Sequence, residues 1–152
     1  MSLHDDKVRR KPAGKKALTQ RAEHRNIFHV KEPRILVADD DADAVLSLTT
    51  LLRDEGYQVR GVHRGSEVLQ AIFQFAPDVV LLDIGMPQMT GYDVARTLRE
   101  RYGNARPALI AVTGRAEESD KQHARAAGFE HHVAKPYEPR ALLRLIGQLA
   151  GR

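Results

Sequence analysis

No cysteine occurs in these 152 residues. Disulfides, thiolate metal sites, iron–sulfur clusters and a cysteine nucleophile are excluded together. No apolar run approaches the ~18 residues that a membrane-spanning helix needs. The N-terminus has no apolar core of the kind a secretory signal requires. The expectation is a soluble chain in the cytoplasm. Gly-x-Ser-x-Gly and His-Glu-x-x-His are missing, and no Gly-x-Gly-x-x-Gly follows an apolar run. Gly14-Lys15-Lys16 lacks both the earlier glycine and the following hydroxyl residue of a Walker loop.

Hydrophobic residues make up 42% of the chain and charged residues 29%, a globular balance. The formal charge of +4 is unevenly placed. Residues 1–33 hold nine Lys/Arg against four Asp/Glu, whereas residues 34–152 hold fifteen against sixteen. The basic character belongs to a segment, not to the body. Nucleic acid is therefore not expected as a partner of the body, and only the basic segment would reach one. That segment, Met1 to Pro33, carries Arg9-Arg10-Lys11-Pro12 and shows little apolar periodicity. It is expected to be a solvated tail or linker, with one weak helix between Ala17 and Phe28.

From Arg34 onward, short apolar runs alternate with amphipathic stretches. Ile35-Leu36-Val37-Ala38, Val79-Val80-Leu81-Leu82 and Ala108-Leu109-Ile110-Ala111-Val112 are apolar on both faces, as central parallel strands are. Tyr57 to Val62 is interrupted by Gln58 and Arg60, the pattern of an edge strand, and His132-Val133-Ala134 is a short fifth strand. Between them lie helical stripes. Val45, Leu48 and Leu52 follow a cap at Asp41 or Asp43 and stop at Gly56. Val68, Leu69, Ile72 and Phe73 form the second stripe, stopped by Pro77. Val94, Ala95 and Leu98 form the third, Glu117 to Ala127 a fourth helix with a thin apolar face, and Leu142, Leu145, Ile146 and Leu149 the fifth. Five β–α units predict an α/β fold over residues 34–150, a doubly wound parallel sheet with five helices; right-handed crossovers leave few topologies, one of them the flavodoxin-like strand order 2-1-3-4-5.

In such a sheet ligands bind at the carboxyl ends of the strands, around the switch point between the first and third. The first run is followed by Asp39-Asp40-Asp41, the third by Asp83, the fourth by Thr113 and Gly114, the fifth by Lys135 and Pro136. Each has an ordinary reading alone: a helix cap, a turn cap, a strand end, a solvated charge. Four together at one sheet edge point to chemistry. Converging carboxylates repel one another unless a hard cation such as Mg²⁺ intervenes. With a lysine, a hydroxyl and room at Gly114, the set suits phosphoryl transfer to a carboxylate. His131 and His132, being adjacent on a strand, face opposite ways and cannot share a metal easily.

These stretches, with Pro77-Asp78, Ile84-Gly85-Met86-Pro87, Met89-Thr90-Gly91-Tyr92-Asp93 and Ala134-Lys135-Pro136-Tyr137, resemble the receiver domain of two-component response regulators across residues 34–150. The resemblance implies that Asp83 is the phosphoacceptor. It makes Asp40 a direct Mg²⁺ ligand, Asp39 a ligand mostly through water, and the Gly85 main-chain carbonyl a further ligand. Thr113 would move toward the phosphoryl oxygens, and Lys135 would pair with Asp83 or its phosphoryl group. The Lys135–Pro136 bond is expected to be cis. His132 takes the switch position, where Tyr or Phe is usual, and an imidazole there adds a titratable group. Arg115 sits where family members tune phosphoryl lifetime. The donor would be a sensor histidine kinase or a phosphotransfer protein. The output would pass to a downstream protein over the face built from the Glu117–Ala127 helix, the fifth strand and the fifth helix.

The chain is expected to be a stand-alone regulator or the terminal receiver of a hybrid kinase. One rival is an interaction module that is never phosphorylated. Another is a haloacid-dehalogenase-type phosphohydrolase, which shares an Asp-x-Asp spacing (Asp39, Asp41) but wants its nucleophile on the first strand and a cap for its substrate.

Overall fold

The computed structural model describes residues 32–103, 106–114 and 118–151. The weak helix expected between Ala17 and Phe28, and Arg115, lie outside the described residues. The chain divides into a unit of residues 1–32 and a unit of residues 33–152. Every strand and helix of the described residues belongs to the second unit.

Five strands, β1 (Arg34–Ala38), β2 (Gln58–Val62), β3 (Val79–Asp83), β4 (Ala108–Thr113) and β5 (His131–Ala134), form one sheet in the order β2-β1-β3-β4-β5. All four pairings are parallel. Five helices connect or follow the strands: α1 (Ala42–Asp54), α2 (Gly65–Phe75), α3 (Gly91–Tyr102), α4 (Glu118–Ala127) and α5 (Pro139–Leu149). The α/β architecture predicted by the alternation is present, and of the few topologies open to it the sheet takes the flavodoxin-like order.

The three runs that are apolar on both faces are the three inner strands, and every residue of β3 and β4 is buried. Their alternate side chains feed two cores. Leu36, Val80, Leu82, Leu109 and Ala111 pack with α2, α3 and α4, whereas Ile35, Val37, Val79, Leu81 and Ile110 pack with α1 and α5. The outer strand β2 leaves Gln58 and Arg60 exposed, as its mixed sequence requires.

Helix ends follow local chemistry. Asp41, not Asp43, caps α1 by accepting from the Asp43 and Ala44 N–H groups. Thr90 and Asp93 form a reciprocal capping box at the start of α3. Ala76 closes α2 in the left-handed region, φ 52°, before Pro77.

One expectation fails. Phe73 is 78% exposed rather than part of the α2 stripe. At about 100° per residue it lies roughly 140° round the helix from Val68. The buried set is instead Gly65, Val68, Ala71 and Ile72. Gly65 is required there because a Cβ would stand 2.4 Å from the Met89 carbonyl oxygen.

Candidate functional site

The register of the sheet assembles the site. β1 and β3 run side by side, with Ala38 opposite Leu82, so the residues just beyond β1 face the end of β3. Asp39, Asp40 and Asp83 each offer a carboxylate oxygen, and the three atoms lie within 4.8 Å of one another. Asp39 and Asp83 are buried and Asp40 is exposed.

Local hydrogen bonds fix how the two buried carboxylates point. Asp39 Oδ1 accepts from the Asp41 N–H at 2.9 Å, and Asp83 Oδ1 accepts from the Gly85 N–H at 3.0 Å. The other oxygens turn toward Lys135, whose Nζ lies 3.0 Å from Asp39 Oδ2 and 3.7 Å from Asp83 Oδ2. Lys135 reaches them from the end of β5, where its own N–H donates to the Thr113 carbonyl at 2.7 Å. The Lys135–Pro136 peptide is cis, as is Arg106–Pro107.

Burial raises the Asp83 carboxyl above its ordinary range. The Gly85 N–H opposes that, the Asp39 charge adds to it, and Lys135 partly offsets it. Burial pulls Lys135 down, but its hydrogen bond to Asp39 and the two carboxylate charges leave it above its usual value. One ammonium, against two of three clustered carboxylates, leaves an excess of negative charge. That donor set, all oxygen and partly open to solvent, suits a hard divalent cation.

Thr113 ends β4 with its side chain buried, beside the Asp83 strand. Among the described residues, nothing but its chain neighbours would stand within 4 Å of a Cβ at Gly114, which leaves the room expected there. His132 stands apart from the carboxylates, paired with Ala111 in β5. Its neighbours are on α4. Burial and the Lys121 charge hold its imidazole below the ordinary range, against Asp120. Its Nε2 is buried and makes no hydrogen bond among the described residues.

Sequence reasoning misses the wall beside the carboxylates. A cavity of about 450 Å³ adjoins Asp39 and Lys135 and is lined on its apolar side by Ala44, Leu48, Val112, Pro136 and Tyr137. It lies where α1, the ends of β1 and β4 and the β5–α5 connection come together, although Tyr137 directly after Lys135-Pro136 is a local hint.

The family model of the response regulator receiver domain matches residues 35–147. The chain belongs to this family. Receiver domains are signalling modules and not a classical enzyme family, so the dehalogenase-type reading is set aside. Among curated relatives, the DNA-binding response regulator MtrA of Mycobacterium tuberculosis (strain ATCC 25618 / H37Rv) is 36% identical over 113 residues, covering 74% of this chain and 48% of that protein. The chain thus spans about half the length of that relative. Protein PilH of Pseudomonas aeruginosa is 34% identical over 119 residues, covering 78% of this chain and 98% of PilH. The CheY-like receiver domain protein of Methanospirillum hungatei JF-1 superimposes with a TM-score of 0.73 at 29% identity, over 80% of this chain and 95% of that one. A receiver domain from Bermanella marisrubri gives a TM-score of 0.71 at 31% identity, over 78% and 98% of the two chains. Among the described residues, no helix of this receiver is long and apolar enough to cross a membrane.

Proposed function

We propose that this receiver accepts a phosphoryl group on Asp83 from the phosphohistidine of a sensor histidine kinase or phosphotransfer protein, in a Mg²⁺-dependent reaction. The observation that carries the reading is the meeting of Asp39, Asp40 and Asp83 within 4.8 Å, with Lys135 against two of them.

Asp39, Asp40, Asp83 and the Gly85 main-chain carbonyl would hold the ion, which when bound neutralises carboxylate charge and polarises phosphoryl oxygens. The protein's own groups do the rest. The Gly85 N–H holds Asp83 Oδ1, so Oδ2 is the oxygen free to attack phosphorus. A bond forms from that oxygen to phosphorus as the donor N–P bond breaks, and the departing imidazole takes up a proton. The Lys135 ammonium, already within 3.7 Å of Oδ2, stabilises the incoming charge. Thr113 donates its hydroxyl to a phosphoryl oxygen, and His132 follows as the switch residue. Water later attacks phosphorus and returns Asp83 as a carboxylate with release of inorganic phosphate. The acyl phosphate carries roughly −1.5 to −2 charges where the carboxylate carried one, a change that biases a two-state element rather than bending it continuously. The output leaves over α4, β5 and α5. Residues 34–150 form the receiver, and the basic segment 1–33 is a tail or linker to it.

Intact mass after acetyl phosphate and Mg²⁺ tests the reading. One added phosphoryl group is expected on the native chain and none on Asp83→Asn. Failure of the native chain to gain mass overturns phosphorylation and leaves the pure interaction module. Mass gain retained in Asp83→Asn overturns the assignment of Asp83.

A further inference from the structure

A second cavity, of about 210 Å³, opens between α4 and β5, away from the carboxylates. Lys121 and Arg125 line it from α4, and Glu130, His131 and His132 from the other side. Lys121, Arg125 and His131 are exposed. Glu130, the acidic residue of the lining, is engaged inward: its Oε1 accepts from the Leu109 N–H at 3.0 Å and lies 3.5 Å from the Arg99 guanidinium. The remaining polar groups are cations and imidazoles. Among them the His132 Nε2 is buried and without a hydrogen-bond partner among the described residues. A buried ring nitrogen left unsatisfied carries a desolvation cost that an incoming group of the right chemistry would remove.

We propose that this cavity takes the carboxylate of an Asp or Glu side chain from an acidic segment of a partner protein. A carboxylate is acceptor-only and accepts at both oxygens. It would accept from His132 Nε2–H at the cavity wall and from Lys121 and Arg125 at the mouth. The volume suits one side-chain end rather than a nucleotide, which favours a protein segment over nucleic acid. The inference rests on the receiver reading, since it assigns partner chemistry to part of the proposed output face.

Charge arithmetic gives the pH dependence. In the free protein burial and the Lys121 charge push the His132 imidazole below its ordinary range, with Asp120 opposing them, and Arg125, Glu130 and His131 line the same cavity. A bound carboxylate favours the imidazolium. Binding therefore takes up a proton, and affinity rises as pH falls through the His132 titration.

The test uses the full chain with ring-labelled histidine, followed by NMR while blocked hexaglutamate is added. Blocked hexaglutamine, inorganic phosphate and hexauridylate serve as comparisons. Ring-resolved signals separate this cavity from any binding by the basic residues 1–33. Hexaglutamate is expected to shift the His132 signals saturably and to raise their titration midpoint, with no response to hexaglutamine. The double variants Lys121→Glu/Arg125→Glu and Lys121→Gln/Arg125→Gln should weaken the response by roughly tenfold, about what two partly exposed charge pairs contribute together. An unmoved His132, or a shift undiminished in both variants, overturns the proposal. An equal or larger response to phosphate or hexauridylate overturns the choice of a carboxylate-bearing protein segment. Both double variants should still gain a phosphoryl group at Asp83, so loss of this site is distinguishable from failure of the receiver reading.

Discussion

Asp39 and Asp83 each spend one oxygen on a neighbouring backbone N–H and present the other to Lys135. Like charges held this way destabilise the fold in exchange for a reactive pocket. Removing one carboxylate while keeping its shape should therefore stabilise the protein. Asp83→Asn is expected to gain about 0.5–2 kcal/mol, the usual size of relief at a strained functional site. Urea unfolding at neutral pH without divalent ions measures it, and a loss of stability would contradict the proposed repulsion. The same cluster predicts a ligand effect. An ion that binds only the folded state raises stability in proportion to the logarithm of its concentration. Mg²⁺ should raise the thermal midpoint of the native chain progressively. It should leave the Asp39→Asn/Asp40→Asn double variant unmoved, and an equal rise in both would place the ion elsewhere. These residues are readable from sequence because each directly follows an apolar run. The orientation of their oxygens is not, since it depends on which N–H each one finds.

At the scale of elements, α3 ties the sheet to α4. Its N-terminus is set by the Thr90–Asp93 box, in which the Thr90 backbone and side chain hold Asp93 below the ordinary carboxylate range, with Arg96 adding to the effect. A lowered folded-state pKa contributes stability that is present above the unfolded value and lost as pH falls through the folded one. Asp93→Asn should be less stable than the native chain at neutral pH, and the gap should close as pH drops below the carboxylate range. Urea midpoints at a series of pH values check this, and a gap independent of pH would remove the charge from the explanation. Further along α3, Arg99 donates to the Gly128 carbonyl through Nε at 3.1 Å and Nη2 at 2.9 Å, pinning the turn between α4 and β5. The Tyr92 ring stacks on His123 at 4.1 Å between centroids and reinforces the α3–α4 contact. Arg99→Ala should cost about 1.5–3 kcal/mol, the range for hydrogen bonds to a charged group. Faster amide exchange around Gly128 would locate the loss. The helices themselves are legible as stripes, and their ends as caps. Phe73 misleads because adjacency to Ile72 in sequence does not confer a shared face: neighbours on a helix stand about 100° apart. The Arg99 tie spans two elements and leaves no local pattern at all.

On the scale of the molecule, parallel pairing and right-handed crossovers explain why residues as far apart as Asp39 and Lys135 meet. Every strand of such a sheet ends on the same edge, so the fold gathers the four polar strand ends without further instruction. This makes the site legible once the alternation is recognised. The two cavities are not legible, because each is a gap between packed elements: α1 against the β5–α5 connection, and α4 against β5. Charge is also distributed at this scale. The nine Lys/Arg and four Asp/Glu of residues 1–33 give that segment its basic character, while residues 34–152 are nearly neutral. Two hydrogen bonds anchor the start of the described receiver. The Pro33 carbonyl accepts from the Gln58 N–H at 3.2 Å, and the Arg34 N–H donates to Asp78 Oδ2 at 2.8 Å. A chain of residues 32–152 retains both bonds and should keep the circular dichroism, thermal midpoint and Asp83 phosphorylation of the full chain. Its behaviour toward polyanions should differ, because that attraction scales with the cationic groups available. The full chain is expected to elute from heparin at higher salt than residues 32–152. Equal elution would move the polyanion-binding charge onto the receiver, where the Lys121/Arg125 mouth is the first place to test.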